Sequence, residues 1–274
     1  MRKNKLFWGA VAPFAAILTS LFLMYIILKL RGSDPFALFK LMVSYGFDPR
    51  NLVSETNLTV SYYLAGVAAA IGFKMLLFNI GIDGQYRMGA FFGAVVGAAI
   101  DLPPILHVAV IIVVAMIAGG AWAAIAGYLK VKRGVSEVIS NIMLNFIAAA
   151  IIAFLLSPNL LGSLPEGSQN VQTKPIPASG QMPTIKMFDG EVYSVIFLAV
   201  FVGIAYWIML NKTVFGFNLR ATGLSFRAAR SSGVNAPRMI FVTTVLSGAI
   251  AGLVAEAAGC RVTSAGVELP VTLA

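Results

Sequence analysis

Charge is scarce in this chain, and acidic charge scarcer still. Of 274 residues, 11 are Asp or Glu and 20 are Lys or Arg, so charged side chains make up only 11%. There is one cysteine, Cys260, and one histidine, His107. A single cysteine excludes an intramolecular disulfide and a cysteine metal cluster. The histidine stands beside Pro103 and Pro104 at the end of an apolar run and reads as an interfacial residue rather than a ligand. Neither a metal nor a cofactor is expected. No G-x-x-x-x-G-K-[ST] phosphate loop occurs, so if ATP drives this protein another chain binds it.

What the chain has instead is apolar length. It is 59% hydrophobic, with a mean hydropathy of +0.87. No ordinary soluble domain is this apolar. Apolar runs recur at 6–30, 58–78, 88–100, 105–129, 138–157, 192–210 and 239–258. Runs of about 20 residues span a bilayer as helices, so the fold class is all-α, a polytopic transmembrane bundle of about seven spans in one domain, 1–274. The run at 88–100 is short unless part of the preceding NIGIDGQYR joins it. The first run follows MRKNK and shows no small-residue cleavage site, so it is retained as a span.

The net charge of +9 would suggest nucleic acid in a soluble protein. Here the basic residues cluster in alternate loops, so orientation accounts for them and nucleic acid is not expected as a partner. Lys130, Lys132, Arg133, Lys212 and the arginines of 211–238 fall on one side, with the N-terminus inside. The mixed loop 31–57 and the Pro/Gly/Ser-rich segment 158–191 fall outside. Small residues recur at four-residue spacing in three runs: Gly89, Gly93 and Gly97; Ala115, Gly119, Ala123 and Gly127; Gly248 and Gly252. Each set leaves one helix face bare, so neighbours can approach closely.

Three polar stretches stand out. The first is FGFNLRATGLSFRAARSSGVNAPR, which carries Arg220, Arg227, Arg230 and Arg238 and no acid. Ser225 can cap a short helix over 226–232, with Gly233 as its stop and Pro237 in the first turn of the next helix. A short amphipathic helix between two spans suits docking of a soluble partner; an ordinary basic loop would also fit the residues. The second is NIGIDGQ, 79–85, which breaks the apolar pattern. Irregular backbone cannot face lipid, so it either borders a wet, enclosed path or is a turn between spans. The third is VSEVISNIMLNFIA, in which Glu137, Asn141 and Asn145 fall on one helix face. They either join helices by hydrogen bonds or line a water-filled cavity.

These stretches carry a resemblance. FNIGIDGQYRMGAFFGA resembles the N-I-G-x-[DE]-G-Q signature of the permease subunits of ABC importers of the nucleoside and simple-sugar type, relatives of the ribose and branched-chain amino acid permeases. VSEVISNIMLN resembles the same family's V-x-E-V-I-x-x-I-M-L-N pattern. In the basic stretch, Ala228, Ala229 and Gly233 match an EAA-like coupling pattern, with Arg227 where the general pattern has glutamate. The resemblance implies that Asn79, Asp83 and Gln85 lie near a translocation pathway and gives Glu137 and Asn145 a structural or pathway role; Asn141, on the same helix face as those two, is expected at the pathway with them. It implies ATPase coupling at Arg220, Gly223, Arg227, Ala228, Ala229, Arg230 and Gly233, within a cytoplasmic coupling loop at 211–238. It further implies cytoplasmic ABC ATPase subunits, a second related permease in a homo- or heterodimer, an extracytoplasmic substrate-binding protein, and a bacterial inner membrane.

The resemblance covers about 60–258. Family members usually continue through roughly three more spans, so the expectation is a shortened product or last helices supplied otherwise. The expected function is an importer subunit for a small polar solute, with nucleosides first and sugars or branched-chain amino acids after. An energy-independent carrier or channel is the alternative of another class, and it would not need a docking helix. An intramembrane serine protease would need a histidine facing its nucleophile, and His107 lies by an outer turn.

Overall fold

The computed structural model describes residues 2–157, 160–164, 171–187 and 190–258. Cys260 and the tail 259–274 lie outside the described residues, as do Glu166 and Asp189 of the segment 158–191.

Helices dominate, and each of the seven apolar runs corresponds to one of them. The chain divides into two compact units, Met1–Leu52 and Val53–Ala274. The first holds α1 (Arg2–Leu30) and α2 (Pro35–Gly46). There the expected loop 31–57 is corrected: most of it is helical. Asp34 accepts the Phe36 N–H at 3.0 Å with Pro35 at the first helical position. Asp48 repeats the device, accepting the Arg50 N–H at 3.0 Å beside Pro49, where α3 (Pro49–Phe73) begins. An Asp cap followed by proline is a strong helix start.

The second unit contains α4 (Ile82–Ala99), α5 (Pro104–Arg133), α6 (Glu137–Leu155), α7 (Val195–Lys212), α8 (Val214–Leu224), α9 (Phe226–Ser231) and α10 (Ala236–Ala258). Among the described helices, α1, α5, α6, α7 and α10 are long and apolar enough to cross a membrane. The other two expected spans are α3 and α4. Threonines, asparagines and tyrosines dilute α3, and α4 carries Asp83, Arg87 and four glycines. As its sequence allows, α4 takes up part of NIGIDGQYR and reaches 18 residues.

The centre of this unit is the packing of α4, α5 and α10, and the small-residue stripes explain it. A Cβ at Gly119 would meet the Gly248 carbonyl oxygen at 2.5 Å and the Gly252 Cα at 2.9 Å. A Cβ at Gly89 would meet Gly252 at 2.9 Å, and one at Gly127 would meet Thr244 at 3.3 Å. Positions 115, 119 and 127 of α5 therefore meet 252, 248 and 244 of α10 in antiparallel order. Without side chains between them the backbones gain dispersion contacts that lipid cannot replace. A second core joins Leu64, Ala68 and Ile71 of α3 to Val195 and Ala199 of α7 and Leu253 of α10.

Between α6 and α7 the chain forms two short antiparallel pairs, β1 (Gly162–Ser163) with β2 (Gln172–Thr173) and β3 (Thr184–Met187) with β4 (Gly190–Tyr193). A 3-10 turn lies at Ala178–Gly180. Residues 171–181 of this segment are anchored to the helices. Ile176 is buried with Ala94 and Ile111. His107 is not interfacial as expected but fully buried, its Nε2 at 2.9 Å from the Gly97 carbonyl oxygen and its Nδ1 at 2.9 Å from Ser179 Oγ. The carbonyl can only accept, so Nε2 carries the proton.

Candidate functional site

The break between α3 and α4 gathers four of the six residues expected at a pathway. Its centre is Asn79. The Asn79 amide donates from Nδ2 to Gln85 Oε1 at 2.9 Å and to Ser247 Oγ at 2.7 Å. Its Oδ1 accepts Gln85 Nε2 at 2.9 Å and the Gly81 N–H at 3.1 Å. Two donors and two acceptor positions are thus all used, which is the full capacity of the side chain. Gln85 is buried at 1% exposure, a depth at which an unpaired amide would be costly.

The polar stripe of α6 completes the cluster. The N-cap of α4, Gly81, has no side chain to cap with. Asn145 supplies the cap from another helix: its Oδ1 accepts the Gly84 N–H at 2.9 Å and its Nδ2 donates to the Ile80 carbonyl at 3.1 Å. Asn141, one turn earlier, is 2% exposed and lies against Gly81. Asn141 Oδ1 and Trp122 Nε1 are both buried without a hydrogen-bond partner among the described residues. The cluster of four amide side chains therefore includes one free acceptor, on Asn141, and has one free donor beside it, on Trp122.

The two charged members sit at its edge. Asp83 pairs with Arg87 one turn on at 3.1 Å, and both are partly exposed. Glu137 pairs with Lys130 at 2.6 Å across the short connection between α5 and α6. Ser247 was missed by sequence reading. It donates to the Ala68 carbonyl at 2.6 Å while accepting from Asn79. A signal existed: Thr243 and Ser247 are polar, four apart and inside an apolar run, the pattern that singled out α6.

The basic stretch folds as two capped helices. Thr213 accepts the Gly216 N–H at 3.1 Å and starts α8, which sequence reading did not foresee. Ser225 accepts the Ala228 N–H at 3.3 Å and starts α9, and Gly233, at φ +83°, ends it as expected. Only glycine takes that conformation at no steric cost. Asn235 then accepts the Arg238 N–H at 3.1 Å to open α10. The expected coupling residues divide into two sets. Arg227, Ala228, Arg230 and Gly233 are exposed. Ala229 is buried, and Arg220 donates its guanidinium to the Leu210 carbonyl at the end of α7, so both hold the fold. Gly223 links this segment to the break, because a Cβ there would collide with the Lys74 carbonyl oxygen.

A family model described as "branched-chain amino acid transport system / permease component" matches residues 51–271. The chain belongs to this permease family. The match runs past both ends of the resemblance expected at 60–258. Family and apolar helices together make this a multi-pass membrane protein. Among curated relatives, the guanosine ABC transporter permease protein NupP of Bacillus subtilis is 33% identical over 204 residues, 73% of this chain and 58% of that protein. The glucose ABC transporter permease protein TsgB13 of Haloferax volcanii is 31% identical, over 77% of this chain and 59% of that protein. The nucleoside ABC transporter permease protein NupB of Lactococcus lactis is 27% identical, over 89% and 68%. The chain thus spans somewhat under six tenths of the length of the first two. No solved structure gives a significant match.

Proposed function

We propose that this permease-family chain is a transmembrane subunit of an ATP-driven importer and forms part of the path for a small polar solute, nucleosides before sugars. The observation that carries the reading is the contact of Gly223 with Lys74. It connects an exposed, cationic two-helix segment to the broken helix whose amide cluster is the main buried polar feature of the bundle. A carrier or channel has no use for such a transmission. In this reading residues 211–238 are the coupling loop, exposed α9 meets a cytoplasmic ATPase, and α8 passes its displacement to residues 74–81. Moving Asn79 away from Gln85 and Ser247 would free amides that match the hydroxyls and ring nitrogens of a neutral solute. Several hydrogen bonds exchanged for others of the same kind keep the two states close in energy, as alternating access requires.

The remaining parts of the importer follow from the same reading. ATP hydrolysis belongs to separate ATPase subunits, and a substrate-binding protein delivers the solute from outside. A second, related permease pairs with this one. That NupP and NupQ, two guanosine permease proteins of one organism, both resemble the chain supports such a pairing. The N-terminus and the basic segments lie in the cytoplasm, and residues 158–191 lie outside a bacterial plasma membrane. Nucleosides lead because relatives named for guanosine and nucleoside transport recur. The relative named for glucose transport keeps sugar as the second reading.

Uptake in cells expressing the chain with its neighbouring genes tests this. Labelled guanosine should accumulate, unlabelled glucose should not compete, and a catalytic-site variant of the copurifying ATPase should abolish accumulation. Accumulation that persists without ATP hydrolysis would place the chain among energy-independent carriers.

A further inference from the structure

Beside α9 lies a cleft of roughly 500 Å³, bordered by Phe215 and Asn218 of α8, Ser232 and Gly233 of the following turn, and Arg238 and Val242 of α10. We propose that this cleft is a receptor for one carboxylate side chain, an Asp or Glu on a surface loop of the soluble partner that α9 meets. The proposal rests on the importer reading but concerns a different surface: a concavity behind the docking helix, not the helix itself.

Three observations support it. First, Arg238 is exposed, and among the described residues its guanidinium has no hydrogen-bond or ion-pair partner. Arg220, in the same segment, is engaged with the Leu210 carbonyl. No Asp or Glu occurs anywhere from 192 to 255, so the neighbouring sequence holds no acid to satisfy it. Second, the lining is mixed in a useful order. The Asn218 amide and the Ser232 hydroxyl offer hydrogen-bond donors, while Phe215 and Val242 supply an apolar wall. A carboxylate on a methylene stem matches both parts, and partial desolvation strengthens its bidentate pairing with a guanidinium. Third, the position is fixed. The Arg238 N–H is tied to Asn235 Oδ1 at 3.1 Å, and Gly233 at φ +83° sets the turn that forms the rim. An anionic lipid headgroup is the competing occupant. Headgroup binding draws on clusters of several basic residues, whereas among the described residues Arg238 alone of the basic side chains lines this cleft.

The test is zero-length cross-linking in native membranes. Arg238→Lys keeps the charge and offers an amine that a water-soluble carbodiimide joins to a touching carboxyl as an amide. The full chain is then purified with its bound subunits, and the joined peptides are sequenced by mass spectrometry. The expected result is a cross-link from position 238 to an Asp or Glu of the ATP-binding subunit. In parallel, Arg238→Glu should lower the amount of copurified ATP-binding subunit about tenfold, and Arg238→Lys, which keeps the charge but not the bidentate fork, should lower it much less. A preparation that contains the ATP-binding subunit yet gives no such cross-link at 238 overturns the proposal, even if Arg230→Lys cross-links and the importer reading stands. A lipid adduct alone at 238 overturns it in favour of the headgroup. Absence of any ATP-binding subunit from the wild-type preparation sinks the importer reading and this proposal with it.

Discussion

Gly223 of α8 lies so close to Lys74 that no side chain fits between them, and Lys74 stands five residues before Asn79, the centre of the amide cluster. The basic segment and the broken helix are therefore in backbone contact, although 149 residues separate Gly223 from Lys74 in sequence. A displacement at one must be accommodated at the other, because packed backbone is not readily compressed.

That contact makes Gly223 a sensitive position. Gly223→Val should cost about 1–3 kcal/mol of stability by overpacking and should reduce uptake far more than it reduces the amount of protein in the membrane. Gly46, which has open space around it, gives the control: Gly46→Val should leave uptake close to wild type. Equal uptake in the two variants would remove Gly223 from the coupling route.

Buried amides and the exposed ion pair should respond differently to substitution. Gln85→Ala leaves Asn79 short of two bonds in a buried place and should destabilise by about 1–3 kcal/mol, seen as a lower melting temperature in detergent. Asp83→Ala removes one member of a partly exposed pair and should cost about 0.5 kcal/mol or less. The double replacement of Asp83 and Arg87 should then match the single within error. A melting temperature that falls further for Asp83→Ala than for Gln85→Ala would reverse this assignment.

His107 fastens residues 171–181 to the ends of α4 and α5. His107→Ala leaves the Gly97 carbonyl and Ser179 without their shared partner, and also leaves a void. Limited proteolysis should then cut within 171–187 several times faster, with α5 itself still protected. His107→Gln keeps a donor and should recover part of the protection. Cleavage at the wild-type rate in His107→Ala would show that Ile176 and the strand pairs hold the segment unaided.

Orientation is testable without any assay of transport. With Cys260 replaced by Ser, single cysteines at Arg133 and Lys186 should differ in labelling by a membrane-impermeant thiol reagent. Position 186, exposed on β3, should label in intact cells, and position 133 only after the membrane is opened. The reverse pattern would invert the proposed topology, and equal labelling would mean that fewer helices cross than proposed.

Sequence alone determined the features that act within a helical turn or two. Ser225 and Gly233 delimit α9 because a side-chain cap and a left-handed stop are local chemistry. The four-residue spacing of Glu137, Asn141 and Asn145 placed them on one face of α6 for the same reason, and the small-residue stripes marked which faces of α4, α5 and α10 come together. The Asp-Pro starts of α2 and α3 were equally local and equally legible, but the polar residues around them read as loop. Tertiary structure decided the rest. Asn79 and Ser247 are 168 residues apart, and Asn145 caps α4 from 61 residues away. Nothing in the local sequence of a buried amide names its partner, since any acceptor brought near would serve. Nor could sequence tell that Ala229 and Arg220 turn inward while their neighbours face out, because a short helix between spans receives its rotation from what it packs against. His107 shows the same limit: its place beside a proline turn suggested an interface, and only the folding of residues 171–181 over α4 and α5 buried it.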